Sequence, residues 1–112
     1  MKNTSKDKIA IRKHLPILKT ISKAKPAKRA NILNNAPTVL FNILKKICRL
    51  LINGTISITP AQRRKLTPAV KKILRAIHTG KNPKNIVIQN GAGIGKALKS
   101  ILPIVAQFLG SI

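Results

Sequence analysis

Asp7 is the only carboxylate side chain among 112 residues, and it faces 23 lysines and arginines, a formal net charge of +22. That ratio constrains the fold before any motif is considered. One acid can neutralise one base, so a lattice of internal salt bridges is excluded. Cohesion must come from apolar burial, and the remaining cations are expected to find partners outside the fold. The apolar supply is sufficient for this. Hydrophobic residues make up 44% of the chain, with eighteen Ile and twelve Leu, whereas disordered basic tails have little to bury. The length allows one domain with one modest core.

Several function classes drop out on residue chemistry alone. A lone carboxylate excludes paired-carboxylate catalysis, a buried acid/base dyad and an oxygen-lined Mg²⁺ or Ca²⁺ site. Phe41 and Phe108 are the only aromatics, with no Tyr or Trp. Single-strand binders that stack bases on aromatic platforms are therefore not expected. A single Cys48 cannot form an internal disulfide or a Cys-based zinc site, and its place in the apolar run 47–52 reads as a buried core thiol. His14 and His78 lie far apart among cations with no orienting acid, and read as polar-face residues. No enzyme, cofactor or metal is expected.

The stretch Ile86-Val87-Ile88-Gln89-Asn90-Gly91-Ala92-Gly93-Ile94-Gly95-Lys96-Ala97 has the outline of a phosphate-binding loop but lacks its chemistry. Asn90 stands where that motif needs glycine, Ala97 stands where it needs Ser or Thr, and no second acidic metal ligand follows. The expectation is a flexible glycine hinge before a last helix. The polar start, residues 1–8, is not followed by the apolar run of a targeting signal. The longest apolar stretch, 101–112, is too short to cross a bilayer as a helix.

Prolines mark where helices begin. Thr59-Pro60, Thr67-Pro68 and Asn82-Pro83 each place an N-cap residue before a proline suited to the first helical turn, and Asn35-Ala36-Pro37 gives the same signal one residue off. Gly54 and Gly80 fall where helices stop. The periodicity predicts a helix over 8–23, kinked or divided at Pro16, with Ile11, Leu15, Leu18 and Ile21 or Ser22 on one face. A short segment over 27–33 follows. The clearest helix covers 37–53, with Leu40, Ile43, Leu44, Ile47 and Leu51 in a stripe and Asn42, Lys45, Lys46 and Arg49 opposite. Residues 55–58 read as an extended connector and 60–66 as a turn. A second clear helix covers 68–78, with Val70, Ile73, Leu74 and Ile77 inward. The last helix, 94–109, is apolar around most of its circumference. It is expected either to form the centre of a bundle or to sit against a partner or membrane.

The fold class read from this is all-α: a small bundle of short amphipathic helices with a basic N-terminal segment and a hydrophobic C-terminal helix. Three parts follow from the charge distribution: a basic segment over 1–29, a helical core module over 30–85, and a glycine hinge with its helix over 86–112. Ten basic side chains fall in 1–29, eight in 63–85 and two in 86–112. Arg63, Arg64, Lys65, Lys71, Lys72 and Arg75 form the leading candidate surface for phosphate contact, because solvated faces normally mix signs and this one has no acid to interleave. Lys19, Lys23, Lys25, Lys28 and Arg29 are expected to add a mobile strap. Lysines outnumber arginines seventeen to six, which suits point-charge contact to a phosphate backbone rather than reading of bases.

Motifs along the chain also carry a family resemblance. They run from His14-Leu15-Pro16-Ile17-Leu18-Lys19 and Ala24-Lys25-Pro26-Ala27-Lys28-Arg29 through Ile47-Cys48, Leu51-Ile52-Asn53-Gly54 and Ile58-Thr59-Pro60-Ala61-Gln62-Arg63-Arg64-Lys65-Leu66. Lys72-x-x-Leu74-Arg75-x-Ile77 and the Gln89-Asn90-Gly91 segment complete the set. The chain resembles the small basic proteins of Polinton/Maverick elements and adintoviruses, most strongly over residues 47–112, and more loosely the small core proteins of adenoviruses. The resemblance implies a virion-associated protein acting on DNA in the virion and host nucleus. Relatives tend to show Gly-Gly-Phe-Leu near the C-terminal junction where this chain has Gly91-Ala92-Gly93-Ile94. Asn90-Gly91-Ala92-Gly93 is a partial match to the glycine-containing sites of adenovirus-type maturation proteases.

The function expected from charge, periodicity and resemblance together is sequence-independent DNA binding and condensation. Two alternatives remain at this stage. One is membrane activity during entry, in which Ile94, Leu98, Ile101, Leu102, Val105, Phe108 and Leu109 meet an anionic membrane or pair with a second copy of the chain. The other is a minor capsid or cement protein whose cations meet an acidic capsid surface.

Overall fold

Each of the three Thr/Asn-Pro steps starts a helix. In the computed structural model, which describes residues 5–89 and 91–110, Pro60, Pro68 and Pro83 are first residues of helices. The described residues form α1 (Ser5–Lys23), α2 (Pro26–Asn35), α3 (Thr38–Ile52), α4 (Pro60–Lys65), α5 (Pro68–Thr79), α6 (Pro83–Gln89) and α7 (Gly91–Gly110), with no strand among them. The all-α class is thus observed. Thr59 caps α4 by accepting from Gln62 N at 3.1 Å, and Gln62 Oε1 accepts from Thr59 N at 2.9 Å, a reciprocal capping box. Thr67 Oγ1 accepts from Val70 N at 3.3 Å at the start of α5, and Asn82 Oδ1 accepts from Asn85 N at 3.3 Å beside α6.

Boundaries differ from the sequence expectation in three places. Residues 60–66, expected as a turn, are mostly helical, because the capping box and Pro60 together organise the first turn of α4. Pro16 neither ends nor divides α1, which runs unbroken from Ser5 to Lys23. The glycine segment belongs to α7 rather than preceding it, with Gly93 and Gly95 inside the helix, while the chain bends by 112° between Pro83–Gln89 and Gly93–Gly110. Close packing marks two of these glycines, since a Cβ at Gly93 would lie 2.5 Å from Ile73 Cδ1 and one at Gly95 would lie 2.5 Å from the Arg29 guanidinium. Asn90, which opens the partial processing match, lies outside the described residues. The connector at 55–58, expected to be extended, is neither helix nor strand and bends at Thr55 and Ile56. It leaves α3 through Gly54 at φ +82°, a conformation that favours glycine, and Ile56 then turns into the core.

The apolar stripes meet in one core. Ile11, Leu18 and Ile21 of α1, Phe41, Ile47 and Leu50 of α3, Leu74 and Ile77 of α5, and Val87 of α6 are all buried. At the centre lies α7, which packs against α1, α2, α4, α5 and α6. That placement accounts for its nearly continuous apolar circumference. The partition of the chain by charge is not a partition of the fold, because α1 from its first part and α7 from its last form the most extensive helix pair. A Cα radius of gyration of 13.1 Å is that of a single packed domain of this length.

Cys48 sits in this core as expected, and burial pushes its thiol from the usual 9.0 up to about 12. An acid whose folded pKa is raised contributes stability below its unfolded pKa and loses it above. Cys48 should therefore withdraw stability as the pH rises from about 9 towards about 12. Cys48→Ala is expected to flatten that alkaline decline, measured by urea unfolding at successive pH values. In the native wild-type protein at pH 8, alkylation of Cys48 should proceed only through unfolding.

Candidate anion-binding surface

A chain with one acid must stabilise its cations some other way wherever they approach the core, and the structure shows how. Asp7, in the first turn of α1, takes one partner: its Oδ1 lies 2.9 Å from Lys46 Nζ. Backbone carbonyls serve most of the other fixed cations. Arg12 Nη2 donates to Leu109 O in the last turn of α7 (2.8 Å), and Lys45 Nζ donates to Gly80 O just beyond α5 (2.9 Å). Both place a cation where a helix dipole ends in negative charge. Aromatic faces take two more, with Lys8 Nζ 4.7 Å from the Phe108 ring centroid and Lys84 Nζ 5.9 Å from that of Phe41. The expectation that all cations but one look outward is therefore corrected.

Arg29 is the largest departure. Expected on a mobile strap, it is 8% exposed, and its guanidinium lies against Gly95. Nε donates to Ile21 O (3.1 Å) and Nη2 to Ala24 O (2.8 Å), satisfying carbonyls at the C-terminal end of α1. It binds its own chain and is withdrawn from the candidate phosphate contacts.

The rest of the expected set is exposed. Arg63, Arg64 and Lys65 project from α4, and Lys71, Lys72 and Arg75 from α5. Among the described residues, none of these six side chains has a hydrogen-bond, ion-pair or ring partner within the fold. Lys71 and Arg75 stand one turn apart, about 6 Å of helix rise, and share with Lys72 and Pro68 the lining of a shallow depression. They also rim a second pocket of about 210 Å³ floored by Leu51, Ile58, Leu66 and Leu74.

Lys19, Lys23, Lys25 and Lys28 are exposed around the α1–α2 corner. The first two converge with Lys99 of α7 over a floor formed by Leu102, Pro103 and Ala106. Lys99 lies on the helix that the sequence shows as apolar around most of its circumference. Its grouping with Lys19 and Lys23 depends on α1 lying along α7, which periodicity alone does not specify.

The residues expected to meet a membrane or partner are used inside the fold. Ile94, Leu98, Ile101, Leu102, Val105 and Leu109 are all buried, and Phe108 is half-buried beneath Lys8. Among the described residues no single helix is long and apolar enough to cross a membrane. His14 is half-buried on α1, with Nδ1 2.9 Å from Ala10 O. His78 is half-buried as well, and its Nδ1 is buried without a partner, so it is not the simple polar-face residue expected. No family model, no curated protein and no solved structure matches this chain.

Proposed function

We propose that the protein binds duplex DNA without regard to sequence and condenses it, through the exposed cations of α4 and α5. The observation that carries this reading is the sorting of the charges. Lys8, Arg12, Lys45, Lys46 and Lys84 have carbonyl, carboxylate or aromatic partners, whereas Arg63, Arg64, Lys65, Lys71, Lys72 and Arg75, on the successive helices α4 and α5, have none among the described residues. A cluster of like charges with no internal counter-ion raises the energy of the free protein and is relieved by a polyanion. The excess of lysine over arginine favours phosphate contact over bidentate base recognition. The resemblance to basic proteins of Polinton/Maverick elements and adintoviruses supports placing this activity in a virion core and a host nucleus. Lys19, Lys23 and Lys99 supply a second group of cations for a wrapped or bridged duplex.

Binding to two unrelated duplexes at a series of salt concentrations tests this reading. Both affinities should fall together and by at least an order of magnitude between about 50 and about 200 mM salt, as phosphate contacts release counterions. An affinity that is flat with salt, or that differs strongly between the two sequences, would contradict it.

A further inference from the structure

A second cationic feature lies apart from the α4–α5 face, in a notch of about 200 Å³ between α3 and α5. Asn42, Lys45, Lys46 and Arg49 line one side, at the i, i+3, i+4, i+7 spacing that puts residues on a single helix face, and His78 of α5 lines the other. Sequence reasoning treats that face of α3 as solvated. The fold instead sets an imidazole opposite it and encloses three cations in a concave space.

Three observations point to an anion there. First, the only acidic side chain in the sequence pairs with a cation of the notch lining: Asp7 Oδ1 is 2.9 Å from Lys46 Nζ, although cations are spread over the whole molecule. Second, His78 Nδ1 is buried with no hydrogen-bond partner, a costly state that a rotation of the ring towards an acceptor in the notch relieves when that nitrogen carries a proton. Third, the side chains of Asn42 and Arg49 have no partner among the described residues, while Lys45 gives one donor to Gly80 O and has others to offer.

We propose that this notch binds a compact phosphate-class anion, a phosphomonoester or a pyrophosphate group. Charge and shape select that chemistry. Lys45, Lys46 and Arg49 outnumber the single carboxylate beside them, so a multiply charged anion balances the notch where a monocarboxylate does not. Tetrahedral oxygens accept from ammonium, guanidinium and carboxamide donors arriving from different sides. The space is smaller than the usual pocket for a drug-sized molecule. Asp7, which pairs with Lys46 from outside the lining, competes with the ligand for that lysine. This inference does not rest on the DNA-binding face, since none of its residues belongs to it.

The test uses the two histidines, whose ring proton resonances are few enough to follow in the full-length protein. Inorganic pyrophosphate should shift the ring signals of His78 and leave those of His14 in place. Arg49→Gln should weaken the response at least about tenfold, the usual loss for a charge-assisted hydrogen bond. Asp7→Asn should strengthen it several-fold by freeing Lys46. Lys71→Gln with Lys72→Gln should leave it unchanged, which separates this site from the DNA-binding face. A short duplex carrying 5′-phosphates, compared with the same duplex without them, distinguishes a strand terminus from a free anion as the source. Equal shifts at both histidines, no shift with pyrophosphate, or an undiminished response in Arg49→Gln would overturn the proposal.

Discussion

Arg29→Ala is expected to destabilise the fold by about 2–4 kcal/mol, read as a lower midpoint in urea unfolding. The substitution removes the donors that serve Ile21 O and Ala24 O, leaving Ile21 O only the 3.3 Å bond from Ala24 N and Ala24 O none of its side-chain donors. It also empties the space between α2 and α7 that the guanidinium fills beside Gly95. Both effects have the same sign, and for a domain of this size they remove a large share of the total stability. Gly95→Ala supplies the complementary measurement. Alone it should destabilise, because its Cβ would lie 2.5 Å from a guanidinium held by two hydrogen bonds. In the Arg29→Ala background the same change should be neutral or stabilising, since the space is open and alanine exceeds glycine in helix propensity by about 1 kcal/mol. The two changes should therefore couple by about 1–3 kcal/mol in a double-mutant cycle. Additive effects would mean that the guanidinium does not occupy the space against Gly95.

Arg29 also shows where sequence reasoning stops. Its neighbours Lys23, Lys25 and Lys28 are exposed cations, and nothing local separates it from them. What distinguishes it is the carbonyls at the end of α1 and a glycine on α7, partners that exist only once α2 folds back. Gly95 fails for the same reason. Read locally, Gly91-Ala92-Gly93-Ile94-Gly95 signals backbone freedom. In the fold, Gly93 and Gly95 are sites of close approach within a helix. Local signals of other kinds were legible. Thr or Asn before proline marks three helix starts because cap and fixed φ act within a few residues, and the stripe from Leu40 to Leu51 is buried because periodicity defines a face. The exposed six were legible for related reasons, Lys71, Lys72 and Arg75 as outward positions on an amphipathic segment and Arg63, Arg64 and Lys65 as a basic run with no acid to interleave. The α3–α5 notch was not, because His78 reaches it from another helix.

Replacing Lys71, Lys72 and Arg75 together by glutamine should lower the slope of log K against log salt for duplex DNA by nearly three units, about 0.9 for each phosphate no longer neutralised. Near 0.1 M salt that corresponds to a loss of roughly a hundredfold or more in affinity, equal for unrelated sequences because phosphate contacts carry no base information. All three side chains are exposed and without partners among the described residues, so unfolding should be little affected. Net charge alone offers a competing explanation, and the structure provides the means to separate the two. Lys8→Gln, Arg12→Gln and Lys84→Gln remove the same number of charges from side chains that lie over Phe108, donate to Leu109 O and lie over Phe41. That second variant should lose stability and retain most of the salt slope. If both variants flatten the slope equally, binding follows total charge and the α4–α5 face is not the contact surface. If only the first does, the +22 charge acts through position, in cations left without partners by a fold that provides them elsewhere.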